Sequence, residues 1–333
     1  MKKNVLLFTM ILVLCVSLHD SIGNGIDISD TKLLQQPAMS EDHIAFVYAG
    51  DLWIADIDGQ NVRRLTSDEG AESSPAFSPD GKLIAFSAQY DGNTDVFTIP
   101  VQGGIPKRLT YHPGSDNVRG FTPDGSAVLF TSSRFVFTNR YNHLFTVPLG
   151  GGFPNKLVIP NAFRVSYSPD GHRMAYTPLY EAFNQWKNYR GGTVSTILLF
   201  TFLDYSVEKV TQPEGRCNDT DPMWIGDKVF FRSDRNGEFN LFSYDPSSKE
   251  IQQLTFHNDF PILKASPGNG KIIYEQAGHL HIYNISDAAS QKLTIGVAAD
   301  LQELRPRFVK GTKYIRSAAV SPTGSRAVFA FRG

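Results

Sequence analysis

His279 and His281 are the best metal candidates in the chain, because residues two apart on a strand project from the same face. A recurring pattern places Asp51 and Trp53, and again His143 and Phe145, at the same two positions, so a structural role is the preferred reading. A serine nucleophile would need a strained elbow and a histidine base, and no Gly-x-Ser-x-Gly is present. Ser78, Ser168, Ser266 and Ser321 each precede a proline, which marks them as turn residues. The acidic residues Asp68, Glu69, Glu72, Asp219 and Asp221 could line a channel mouth or bind calcium. Their spacing does not match an EF-hand loop, and solvated loops are the expectation. Cys217 stands alone outside the N-terminal apolar run and is expected to be a small buried thiol. No Cys-x-x-Cys or Cys/His spacing suggests zinc, so no metal, cofactor or catalytic residue is expected. The segment from Tyr180 to Arg190 holds Phe183, Trp186, Lys187, Tyr189 and Arg190. Aromatics interleaved with cations are common at protein interfaces, so this is the preferred contact segment. The alternative is a loop packed over the sheet from which it springs.

The elements that must position these residues repeat along the chain. Pro75-AFSPDGKLIAFSA, Arg119-GFTPDGSAVLFTS, Arg164-VSYSPDGHRMAYT and Ser317-AAVSPTGSRAVFAF each read as strand, tight turn, strand. Proline presets φ in the turn, aspartate bonds its own backbone, and glycine accepts positive φ. A second pair of strands follows each hairpin. Its first limb is Asp51-LWIADI, Asp95-VFTIPV, His143-LFTVPL, Asn240-LFSYDP or His279-LHIYNI, and its last ends in Arg64-LT, Lys107-RLT, Lys209-VT, Gln253-LT or Lys292-LT. A four-stranded unit recurring every ~40–50 residues is one propeller blade. Six units follow, at about 38–67, 75–111, 119–159, 164–212, 221–256 and 261–295. The predicted fold is all-β: a six-bladed β-propeller of four-stranded antiparallel blades over 30–296. No strand is shared across the closure, so hydrophobic packing alone is expected at that seam. Residues 297–316 read as a linker, and 317–333 as the first hairpin of a following propeller. Excursions are expected at Arg134 to Asn142 and at Glu181 to Gly192.

Composition sets the outer limits. The 333 residues are 41% hydrophobic and 20% charged, enough to bury a large core, which excludes disorder. Lysine plus arginine number 32 against 33 acidic residues, so no basic field is available for nucleic acid. Lys2 and Lys3 precede an apolar run from Val5 to Leu18, followed by Ser21 and Gly23 at the small-residue positions of a signal-peptidase site. Residues 1–23 therefore read as a Sec-type signal peptide, and the protein is expected to be exported, to a periplasm or beyond.

The repeat is similar to the TolB-type and tricorn-type propeller repeat. Arg305-PRFVKGTKYIRSAAVSPTGSRAVFAFRG further resembles the junction between the first and second propellers of tricorn-like proteases. That resemblance implies a large serine peptidase assembled as a homo-oligomer, whose propellers restrict or channel peptide substrates and products. Its catalytic dyad lies far downstream, so the chain is expected to be a non-catalytic N-terminal propeller that acts sterically and contacts downstream domains of the same chain. A TolB-like platform that binds a protein partner is the alternative. A third reading, a propeller enzyme in its own right, would need convergent carboxylates or a metal in the axial tunnel.

Overall fold

The computed structural model describes residues 28–136, 141–299, 308 and 310–331. The predicted signal peptide and residues 300–307 and 309 of the predicted linker lie outside them. Blade 1 comprises β1 (Gln35–Met39), β2 (His43–Tyr48), β3 (Asp51–Asp56) and β4 (Arg63–Arg64). Blade 2 comprises β5 (Glu72–Phe77), β6 (Leu83–Ala88), β7 (Asp95–Pro100) and β8 (Lys107–Arg108). Blade 3 holds β9 (Asp116–Phe121), β10 (Ala127–Ser132), β11 (His143–Pro148) and β12 (Asn155–Lys156). Blade 4 holds β13 (Arg164–Tyr167), β14 (Arg173–Thr177), β15 (Leu198–Thr201) and β16 (Val207–Lys209). Blade 5 holds β17 (Asp219–Ile225), β18 (Lys228–Ser233), β19 (Asn240–Tyr244) and β20 (Ile251–Gln253). Blade 6 holds β21 (Ile262–Gly268), β22 (Lys271–Gln276), β23 (His279–Asn284) and β24 (Ala289–Lys292).

Each blade is one antiparallel sheet with its strands in chain order. The first strands pack in sequence, β1 on β5, β5 on β9 and so on, and β21 returns to β1, so they close a ring. Between the blades lie apolar layers. Ile84, Phe86, Phe97 and Ile99 of blade 2, for example, pack with Ala45, Leu52 and Ile54 of blade 1.

Three devices recur because the same local chemistry recurs. In the turns, the Ser78 hydroxyl donates to Asp80 Oδ1 (2.7 Å) and accepts the Leu83 N–H (3.0 Å), while Gly81 takes φ 69°. Ser168 and Asp170 repeat that arrangement. The threonine of the Leu-Thr ending accepts the second N–H of the third strand. These bonds join Leu52 to Thr66, Val96 to Thr110 and Leu241 to Thr255, at 2.9, 3.0 and 2.9 Å. Across the second and third strands, an aromatic pair stacks: Phe86 on Phe97, Phe130 on Phe145 and Phe231 on Phe242. Blade 6 places Tyr274 on His281 in the same register. Ser266 departs from the turn pattern. It lies within β21, and Asn269 and Gly270 alone make a two-residue hairpin loop there, Gly270 at φ 63°.

The seam between blades 6 and 1 corrects the expectation of hydrophobic packing alone. No strand is shared, but the segment before β1 is bonded to blade 6. Thr31 N–H donates to Ile295 O and Leu33 N–H to Gly278 O, both at 2.8 Å. Val297 N–H donates to Thr31 Oγ1 (2.9 Å), and Lys292 pairs with Asp30 (2.5 Å). Thr31 and Leu33 thus bring backbone donors to the edge of blade 6, where buried backbone groups need partners.

The contacts divide the chain into a unit ending at Ala298 and a second from Ala299 to Gly333. In the latter, β25 (Ile315–Val320) and β26 (Ala327–Phe331) pair as a hairpin whose described residues are exposed throughout. Among the described residues no helix is long and apolar enough to cross a membrane.

Candidate functional site along the ring axis

The innermost strands are irregular at one level. In β1, β5, β9, β17 and β21 the register slips against the second strand. Three slips are Xaa-Pro pairs, Gln36-Pro37, Ser74-Pro75 and Asp221-Pro222, whose first residue is left-handed at φ 49°, 55° and 47°. These are β-bulges. Proline fits because a bulge leaves one N–H unpaired, and the bulge re-aims the adjacent side chain. The prolines in QQPA, ESSPA and DTDPM were the sequence signal for them.

Around the bulges of blades 3, 5 and 6, and the start of the regular β13 in blade 4, lies a network of charge. Arg164 Nε stands 3.2 Å from Glu181 Oε1 and 3.3 Å from Asp221 Oδ1. Arg232 Nε reaches Asp221 Oδ2 at 2.5 Å, and Lys264 Nζ lies 3.7 Å from Glu181 Oε2. The Thr220 hydroxyl also donates to Glu181. Burial opposes ionisation of Glu181, but Arg164, Lys264 and Arg232 outweigh it and hold the carboxyl well below its ordinary value. Asp221 is likewise buried and held low by Arg232, Lys264 and Arg164. Burial lowers Lys264 to about 8, the neighbouring Asp221 offsetting part of the effect. Sequence reasoning missed Arg119, Arg164, Glu181, Arg232 and Lys264, because only closure of the ring brings four blades together.

Glu181 opens the segment singled out in the sequence. A 3-10 turn, Ala182–Asn184, follows it; Tyr180 and Glu181 contact Phe163 and Arg164 of their own blade, and the rest of the segment packs on blade 5. Phe183 is buried, 4.8 Å from the Phe239 ring, and Arg232 lies over both. Lys187 pairs with Glu238 (2.6 Å) and Arg190 with Asp234 (2.7 Å). The Tyr189 carbonyl accepts from Asn218 (2.9 Å), and its ring lies 6.2 Å from that of Trp186. Trp186 is 62% exposed and Tyr180 45%.

The acidic residues correct a second expectation. Asp68 and Glu69 are exposed, but Glu72, Asp219 and Asp221 are buried rather than solvated. Asp116 and Asp219 begin β9 and β17 and pair with Arg134 (2.5 Å) and Arg235 (2.9 Å), two residues past the second strand. Each arginine also lies over the stacked aromatic pair of its blade. Glu72 holds the equivalent position in blade 2, where Tyr90 replaces the arginine. Burial without a cation raises the Glu72 carboxyl to about 7, although the hydroxyls of Tyr90 and Thr66 offset part of the effect.

Cys217 is buried, and desolvation with the nearby Asp219 pushes its thiol up to about 12. His281 is lowered to about 4 by burial, with His257 beside it. Among the described residues no group of three or more His, Cys, Asp or Glu is arranged to hold a metal ion. At the opposite ends of the strands, a cleft of about 740 Å³ between blades 4 and 5 is lined by Asp170, Arg173, Trp224, Asp227 and Asp245.

A closed ring of six four-stranded antiparallel blades with no shared strand is a six-bladed β-propeller. Residues 31–289 match the model of the tricorn protease N-terminal beta propeller domain, and the chain belongs to that family. It is 29% identical over 292 residues to a tricorn protease homolog of Streptomyces coelicolor, covering 87% of this chain and 27% of that one. A homolog from Saccharolobus solfataricus is 27% identical over 289 residues, 86% of this chain and 26% of its own length. The chain thus spans about a quarter of the length of the curated relatives it matches. In fold it is similar to the tricorn protease crystal structure, with TM-score 0.71, 24% identity, and coverage of 81% of this chain and 27% of that one. TolB from Acinetobacter baumannii shares the fold at TM-score 0.60 and 21% identity, covering 76% and 63%.

Proposed function

We propose that this ring is the non-catalytic N-terminal propeller of a tricorn-like periplasmic serine peptidase, and that it gates or channels peptides to or from a catalytic core in downstream domains. The observation that carries this reading is the family match over 31–289, joined to six inner strands that close a ring. The mechanism is steric. Each inner strand is hydrogen-bonded within its blade and packed against two neighbours, which makes the ring rigid, and the charged side chains of Arg164, Arg232, Lys264 and Glu181 stand along its axis. In this reading the ring passes an extended peptide and excludes a folded domain.

Export rests on the reading of residues 1–23 as a leader, downstream domains on the much greater length of the relatives, and homo-oligomeric assembly on the family resemblance alone. The face carrying Tyr180 and Trp186 is the contact surface toward the assembly or the peptide path.

Leu263, an exposed residue at the bulge of β21, allows a direct test. In the full-length protein, Leu263→Cys coupled to a bulky maleimide should slow hydrolysis of long unfolded polypeptides at least tenfold and leave a dipeptide-sized substrate unaffected. Unchanged rates for both would remove the gating reading. The TolB-like platform reading draws on the exposed Tyr180 and Trp186. A full-length product without a peptidase domain would favour it.

A further inference from the structure

Arg119 in β9, Arg164 in β13, Arg232 in β18 and Lys264 in β21 bring four cations toward one another from four consecutive blades. They face the ionised carboxylates of Glu181 and Asp221 and, at the periphery, Glu275, whose burial raises its pKa. Cations outnumber acids even with all three carboxyls charged. Surplus positive charge in a desolvated site is unfavourable unless an anion matches it.

The carboxylates are already engaged, Glu181 by Arg164, Thr220 and Lys264, and Asp221 by Arg164 and Arg232. Arg119 is left over. Its Nη1 donates only to the adjacent Val118 carbonyl (3.1 Å), and its buried Nε has no hydrogen-bond partner among the described residues. The Phe163 ring lies 5.1 Å from the guanidinium of Arg119 and 5.1 Å from that of Arg164, which fixes both. Burial, then repulsion from Arg164, lowers Arg119 to about 9, so the surplus is felt at this residue. The Arg164 and Lys264 side chains remain 21% and 27% exposed, so the cluster is open to solutes.

We infer that this axial cluster is a binding site for one small oxyanion, a carboxylate or inorganic oxyanion, held by Arg119 with Arg164 and Lys264 beside it. A guanidinium presents parallel N–H donors that match two oxygens of such an anion, and partial desolvation strengthens these charge-assisted bonds. The site makes and breaks no covalent bond. It is independent of the gating reading, because its test needs no proteolysis.

The test is titration calorimetry on the 333-residue chain, at constant ionic strength held with chloride, using sulfate, acetate, and a tripeptide with a free or an amidated C-terminus. Saturable binding near one per chain is expected, weakened at least tenfold in Arg119→Gln with an unchanged circular dichroism spectrum. Should that variant fail to fold, Lys264→Met provides the comparison. Tripeptide binding that vanishes on amidation supports the site with a peptide-borne carboxylate as ligand, whereas sulfate or acetate binding without tripeptide binding supports it with a free ion. No saturable binding to the wild-type chain, or equal binding by folded variants, overturns the inference.

Discussion

Glu72 gives the sharpest quantitative consequence of the repeat. Its equivalents Asp116 and Asp219 are neutralised by arginines, whereas Glu72 is 2% exposed, accepts the Thr66 hydroxyl at 2.9 Å and faces Tyr90. Its carboxyl is raised from 4.5 to about 7. Below about pH 4.5 the group is protonated in folded and unfolded chains alike and costs nothing. Between pH 4.5 and 7 the unfolded chain ionises first, so the contribution of Glu72 to stability falls as pH rises. Above pH 7 the folded chain carries the full cost of the buried carboxylate. At about 1.4 kcal/mol per pH unit, the total is ~3 kcal/mol. Glu72→Gln keeps the shape and the oxygen that accepts from Thr66 but does not ionise. Guanidinium unfolding at pH 4.5, 6 and 8 should show the variant gaining on wild type, from little difference at pH 4.5 to ~3 kcal/mol at pH 8. A difference that stays flat, or that turns in favour of wild type as pH rises, would refute the assignment of Tyr90 as a partner unable to replace the arginine.

Arg235→Met should cost ~3–5 kcal/mol in the same assay, because it leaves the buried carboxylate of Asp219 without its cation. Within the segment after Glu181, Phe183→Ala should lose ~3 kcal/mol by emptying the space against Phe239, while Trp186→Ala should change the chain's stability by less than about 0.5 kcal/mol. Equal losses would contradict the contrast between the buried Phe183 and the exposed Trp186. At the seam, Thr31→Val should cost ~1–3 kcal/mol by stranding the buried Val297 N–H, measured as an earlier unfolding midpoint. No change there would mean that the segment before β1 is not part of the closure.

The ring was legible in the chain because its signals are local. A Ser-Pro-Asp-Gly turn, a polar-aliphatic-aromatic strand and a Leu-Thr ending each act within a few residues, so Ser78, Thr66 and Phe97 do the same work wherever their pattern recurs. His281 was readable for the same reason, since its place in the repeat is an aromatic one. Glu72, Asp219 and Asp221 were misread as solvated because their burial depends on what stands two residues beyond a neighbouring strand, or on the next blade.

By itself, the sequence determined the unit, its number and its order, since hydrogen bonding and side-chain alternation within one blade are settled over some forty residues. Tertiary structure alone decided the axis. Only ring closure sets Arg119, Arg164, Arg232 and Lys264 around Glu181 and Asp221, and only closure makes Thr31 and Ile295 neighbours. Electrostatic and hydrogen-bonding partners are chosen by distance in space, and in a closed ring that distance bears no relation to separation along the chain.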